Sequence, residues 1–306
     1  MSIGIITHHD CLLHDMAPGH PECPARISAI DRQIVHDGFN YEMRFLDAPK
    51  ATRAQLVCAH DADYIDEIFR LSPDRGSVDL DPDTSMTSFT LNAALRAAGA
   101  VVEAVNLIHE GELSRAFCLV RPPGHHAEHN RAMGFCIFNN IAVGVAHARN
   151  LGAGRIAIAD FDVHHGNGTE DIVQGMEDVL MLSSFQHPFY PHTGTDSRAA
   201  NVVNVPLEAG TDGTGFRRAI EQHWLPALES FRPEWLFISA GFDAHRSDPL
   251  GGLQLTEEDY AWVTRQLCRV AEDYGEGRIV SSLEGGYHLE ALGRSVCAHL
   301  DAMIEF

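Results

Sequence analysis

IADFDVHHGNG, residues 158–168, decides the fold. Ile156, Ala157 and Ile158 form an apolar run with the character of a buried strand, which then meets Asp160, Asp162 and His164. His165 and a Gly-Asn-Gly turn follow at once. Charge crowded at the carboxyl end of a buried strand is the mark of an open parallel sheet, whose ligands gather at that edge.

Working outward, the same alternation of short apolar runs and helical patterns fills the chain. Strands are expected at Ile3 to Thr7, Met43 to Leu46, Ala116 to Val120, Arg155 to Ala159, Val179 to Ser183, Val202 to Val205, Trp235 to Ser239 and Arg278 to Leu283. Helical stretches fall near 25–38, 88–109, 138–150, 213–230, 256–273 and 288–304. This is the α/β pattern of a parallel sheet covered on both faces. No linker, repeat or low-complexity tract interrupts it, so residues 1–306 are taken as a single domain. Segment 88–109 is apolar nearly all round and needs burial, by neighbouring helices or by a second copy of the chain in a homo-oligomer. Segment 72–87, SPDRGSVDLDPDTSMT, has the composition of a surface loop.

Composition excludes several classes of function. The net charge is −21, from 43 acidic and 22 basic residues, the wrong sign for a nucleic-acid partner. The sequence has no run approaching the roughly 18 consecutive apolar residues expected of a membrane span. MSIGIITHHD lacks a basic leader and is read as a first strand rather than a signal peptide. Seven scattered cysteines without a C-x-x-C pair fit reduced thiols in a cytoplasmic protein.

Four of the expected strands run into polar segments: RPPGHHAEH, DFDVHHGNG, AGFDAHRSDPLGG and EGGYH. Asp162 and His164 are two apart and project to one side of an extended chain. With Asp243 they make three N/O ligands and leave a position open, the catalytic pattern for zinc, although iron or another divalent ion suits the same donors. His125 and His126 are placed to divide acid and base work, with Asp160 and Asn167 as candidates to orient their far ring nitrogens. Tyr287 follows two glycines and can donate its hydroxyl to a polarised carbonyl oxygen. Taken singly, each of these is more often an ordinary hydrogen-bonded residue; as a set at several strand ends they favour a metal site.

The set GHPECPARI, RPPGHHAEHNRAMGFCIFNN, DFDVHHGNGT, HPFYPHTGT, AGFDAHRSDPLGG and LEGGY resembles the zinc-dependent histone deacetylases and their bacterial deacetylase-like amidohydrolase and acetylpolyamine-hydrolase relatives. The resemblance implies the arginase/deacetylase fold with an eight-stranded parallel sheet. It implies zinc on Asp162, His164 and Asp243, a catalytic pair in His125 and His126, and Tyr287 on the acyl carbonyl. It implies a tunnel walled by Gly134, Phe135, Phe185 and Leu250, and Arg26 near a product-release cavity. A structural potassium ion is implied on Asp160, the Ser184 hydroxyl and backbone oxygens of Asp162, His164 and Phe185.

Two positions narrow the resemblance. Asn167 stands where class I enzymes carry aspartate, which is similar to class II. Leu250 stands where polyamine-specific relatives carry a gatekeeper glutamate, so the expected substrate is an acetyl-lysine peptide or small acyl amide; Asp83 is the alternative acid for a polyamine substrate. An arginase-like binuclear manganese hydrolase is the second enzyme reading, although Gly166 and His245 stand where arginases have carboxylates. A non-catalytic acyl-lysine binding module is the third.

Overall fold

The computed structural model describes residues 3–39 and 43–306. Met1 and Ser2 of the opening segment lie outside the described residues. In chain order the elements begin with β1 (Ile3–Thr7), α1 (Asp10–Leu13), α2 (Ala25–Asp37), β2 (Arg44–Asp47), α3 (Arg53–Leu56) and α4 (Ala62–Leu71). Then come β3 (Ser77–Asp81), β4 (Thr84–Thr87), α5 (Thr90–His109), β5 (Arg115–Cys118), α6 (Asn140–Asn150) and β6 (Ile156–Asp160). The second half adds α7 (Asn167–Val173), β7 (Val179–Gln186), β8 (Val202–Leu207), α8 (Gly213–Ala219) and α9 (Leu225–Phe231), the last two joined through a π-helical turn at Ile220–Trp224. β9 (Trp235–Ala240), α10 (Glu257–Gly275), β10 (Ile279–Leu283) and α11 (Leu289–Ile304) complete it.

Eight strands form one sheet in the order β2-β1-β5-β10-β9-β6-β7-β8, with every neighbouring pair parallel. All eight expected strands are in it, with ends shifted by a few residues. The central strands are buried along their whole length, which is why they read as continuous apolar runs rather than alternating ones. Helices α5 and α6 pack together on one face, and α10, α11 and α2 cover the other. Helix α5 is long and apolar enough to cross a membrane by length and composition, yet 72% of that window is buried inside the fold. It is a core helix, covered by its own chain. Gly99 explains its close approach: a Cβ there would overlap the backbone of Pro49 and Ala51, and Ala51 N–H donates to Leu95 O at 2.8 Å.

Segment 72–87 is not an irregular loop. β3 and β4 pair antiparallel, with Ser77 opposite Thr87 and Val78 opposite Met86. Pro82 and Asp83 make the turn and Asp79 and Asp81 lie within β3, while Met86 is buried in a second core cluster with Ile65, Ala94 and Phe138. Thr84 Oγ1 then accepts the Phe135 N–H at 2.9 Å and docks the hairpin on the segment that follows β5.

The strand order has one consequence for function. β5, β10, β9 and β6 are the four adjacent central strands, and they are the four that run into the polar motifs. Parallel pairing brings all four carboxyl ends to one edge.

Candidate active site

The carboxylates of Asp160, Asp162 and Asp243 are held by backbone N–H groups of their own loop and of neighbouring strand ends. Asp162 N–H donates to Asp160 Oδ1 at 3.1 Å, and His164 N–H to Asp162 Oδ1 at 2.9 Å, which curls the chain after β6. Val163 N–H donates to Asp243 Oδ1 at 2.9 Å and ties the β6 and β9 loops together. Gly285 N–H donates to Asp162 Oδ2 at 2.8 Å. A Cβ at Gly285 would overlap the carboxylates of both Asp162 and Asp243, so only glycine lets the β10 loop come this close.

Asp162, His164 and Asp243 converge so that their ligand atoms lie within 4.8 Å of one another. His164 Nδ1 is 3.0 Å from Asp162 Oδ1 and 3.2 Å from Asp243 Oδ2. Only the first has hydrogen-bond geometry: Asp243 Oδ2 is buried with no hydrogen-bond partner and meets His164 only as an ion pair. Burial disfavours charge on His164, but the two carboxylates overcome it and raise its pKa to about 10. Burial, together with Asp162, raises Asp243 to about 7. Two enclosed carboxylates that hold a histidine proton this strongly, with one oxygen orphaned, form a cradle for a cation. The donor set fits a divalent metal such as zinc.

His125 and His126 follow β5 in a loop fixed from below. Glu284 Oε2 accepts the backbone N–H groups of Gly124 at 2.7 Å and His125 at 3.1 Å. His125 carbonyl accepts the N–H groups of Gly168 and Thr169, buried first-turn donors of α7 that have no partner within the helix. His125 Nδ1 lies 3.0 Å from Asp160 Oδ2, and His126 Nδ1 lies 2.7 Å from Asn167 Oδ1. The rings are 4.0 Å apart between centroids. Their environments push them in opposite directions. Burial opposes charge on His125, but Asp162 and Asp160 outweigh it and raise the pKa well above the usual value. Burial lowers His126 far below the usual value, and the neighbouring His125 and His164 add to the effect. The two environments thus favour charge on His125 and disfavour it on His126.

Tyr287 closes the site from the β10 loop. Its N–H donates to Asp248 Oδ2 at 2.6 Å, and its ring lies between Arg26, 4.9 Å from the centroid, and Phe135, 6.0 Å away edge-on. Burial raises the phenol pKa well above its usual value despite Arg26, which keeps the hydroxyl a donor. Arg26 is fully buried behind that ring: it donates to Gly286 O at 2.7 Å and pairs with Glu22 at 3.0 Å. Arg121 also engages Glu22, so the wall behind Tyr287 is an ionic network.

These groups open on a cavity of about 290 Å³ lined by His125, His126, His164, Tyr287, Gly134, Phe135 and Leu250. Phe189, Tyr190 and Asp83 also line it. Phe185 does not. β7 runs on to Gln186, pairing Phe185 with Pro206 of β8, and turns the Phe185 ring into the core at 4.7 Å from His165. Phe189, from the loop after β7, takes the wall position instead and stacks on His164 at 5.4 Å. Pro188 and Pro191 were the available signal, because they mark where the strand has ended. Asp160 ends β6 opposite Ser183 of the neighbouring strand β7, and the next residue, Ser184, has its hydroxyl buried without a hydrogen-bond partner. An orphaned hydroxyl next to a buried carboxylate strand end fits a monovalent cation such as potassium.

The histone deacetylase domain profile matches residues 20–303. The chain is 36% identical to a probable deacetylase of Archaeoglobus fulgidus over 95% of its own length and 82% of that protein. It is also 36% identical to type-2 histone deacetylase 2 of Dictyostelium discoideum over 98% of its length, but spans only 20% of that much longer protein. Its fold is similar to the crystal structure of the HDA15 HD domain, with a TM-score of 0.94, 34% identity, and coverage of 99% of this chain and 88% of that one.

Proposed function

The chain belongs to the histone deacetylase family, whose deacetylases hydrolyse amide bonds of acylated amines, and we propose that it is a zinc-dependent amidohydrolase. In this reading it removes an acetyl or similar acyl group from an amine such as acetyl-lysine. The observation that carries the proposal is the Asp243 oxygen left without a hydrogen-bond partner beside Asp162 and His164, next to a cavity that His164, His126 and Tyr287 line.

Asp162, His164 and Asp243 would hold the zinc ion, and Asp160 with Ser184 a structural potassium ion. An ion held there would supply Lewis-acid polarisation of an acyl carbonyl and a lowered pKa for water. His126, with its proton on Nδ1 toward Asn167, receives the proton of that water at Nε2 and returns it to the departing amine. His125, held by Asp160, keeps positive charge beside the developing oxyanion and orients its neighbour. Tyr287 donates its hydroxyl to the oxyanion. Phe135 and Phe189 exclude water along the acyl-carrying stem.

Leu250 at the cavity wall supports a peptide or small acyl-amide substrate, since leucine gives a cationic chain no counter-charge. Asp83 at the same cavity favours the second reading, an acetylated polyamine. Acetate release from acetyl-lysine peptides and from acetylated polyamines, compared side by side, decides between them. Higher kcat/KM on the peptides is expected; preference for polyamines would assign selectivity to Asp83. The binuclear manganese reading has little support here: a Cβ at Gly166 would overlap Asp160, and His245 faces Glu257 at 3.5 Å.

A further inference from the structure

We infer that Glu128 is a positioning residue that fixes the tautomer of His126 through the side-chain amide of Asn167. Asn167 offers one acceptor and one donor, and either could face the imidazole. Its neighbours decide. Glu128 Oε1 lies 2.9 Å from Asn167 Nδ2, and a carboxylate only accepts. Arg131 Nη2 donates to the same oxygen at 3.0 Å and holds the carboxylate in place. The amide is thereby turned with Oδ1 toward His126 Nδ1, 2.7 Å away. The His126 proton must sit on Nδ1, leaving Nε2 free on the cavity side.

With the amide reversed, two acceptors would face each other across the Glu128 contact, and Nδ2 would force the His126 proton to Nε2. A carboxylate at position 167 would accept from His126 in either orientation and need no such reference. Glu128 is therefore the partner that an amide at 167 requires. Its role is separable from the loop's own structure, because the backbone here is held independently: Glu128 N–H donates to Arg131 O at 2.9 Å, and Glu128 O lies 3.0 Å from His60 Nδ1. Met133 Sδ, 3.4 Å from Asn167 Nδ2, is a weak acceptor that cannot replace the carboxylate.

This inference rests on His126 as the base of the proposed reaction, so its test reads the tautomer and the turnover separately. The variants are Glu128→Ala, Glu128→Lys, Asn167→Asp and Glu128→Lys with Asn167→Asp, in zinc-loaded protein. Imidazole ¹⁵N shifts of His126 report which nitrogen carries the proton. The lysine donates, so it should reverse the Asn167 amide, move the proton to Nε2 and lower kcat about 10- to 100-fold, the scale of one charge-assisted hydrogen bond, with KM nearly unchanged. Glu128→Ala should fall between Glu128→Lys and the parent. With aspartate substituted at 167, Glu128→Lys should recover most of the kcat and return the proton to Nδ1. Equal losses in both backgrounds, or a proton that stays on Nδ1 in both single Glu128 variants, would overturn the assignment. A proton moved to Nε2 with kcat unchanged would uphold Glu128 and refute His126 as the base.

Discussion

Tyr287→Phe isolates one hydroxyl. The ring should stay where it is: it is packed between Arg26 and Phe135, and the backbone is anchored by Asp248 rather than by the phenol. Among the described residues, none of the three groups proposed to hold zinc is hydrogen-bonded to this hydroxyl, so zinc content should match the parent. What is lost is a donor aimed into a cavity whose burial keeps it protonated. Removing one such donor costs about 2.7–4 kcal/mol of transition-state stabilisation, or about 100- to 1,000-fold in kcat. KM should change little, because the bond strengthens only as the oxyanion forms. The assay is steady-state acetate release at saturating zinc, with metal content measured on the same sample. Turnover within a few-fold of the parent, at equal zinc, would refute the oxyanion role.

Four further substitutions test the surrounding structure. Burial opposes charge on Glu22, but Arg121 and His14 hold its pKa well below the usual carboxylate range. Its contribution to stability is therefore full above about pH 4.3 and is lost as pH falls below that. Glu22→Gln should cost about 3–5 kcal/mol at pH 7 by leaving Arg26 and Arg121 buried without their counter-charge, and should flatten the acid limb of the denaturant-unfolding profile; an unchanged acid limb would contradict this. Phe185→Ala should destabilise the fold by about 3–5 kcal/mol, whereas Phe189→Ala should leave the unfolding midpoint nearly unchanged and raise KM. The reverse pattern would restore Phe185 to the tunnel wall. Gly285→Ala should weaken zinc binding while the far-ultraviolet circular dichroism stays native; a dissociation constant equal to the parent's would show that the β10 loop has room to move.

The sheet could be read from the sequence because its central strands are buried apolar runs, and buried parallel strands give that signal most strongly. The charge after Ile158 gave the polarity of the site as well. What escaped were elements whose local pattern is ambiguous. Helix α4 is amphipathic, but it is only 10 residues long. The β3–β4 hairpin was masked by its aspartates and proline. α7 begins on the Gly-Asn-Gly sequence, which by itself signals a turn. Within the site, the ligands and the histidine pair carry their chemistry in their residue types. Glu284 does not: it supports a loop 159 and 160 residues away, and only tertiary structure brings that carboxylate beneath His125.

The central claim is that one metal ion at Asp162, His164 and Asp243 makes this cavity an amide hydrolase. The most direct measurement strips the protein with a chelator, adds zinc back stepwise, and follows both bound zinc at this site and acetate release from an acetyl-lysine peptide. The account predicts activity that is lost on stripping and rises to saturation at one catalytic zinc per chain. Full activity in the stripped protein, or a second catalytic ion needed for turnover, would contradict it.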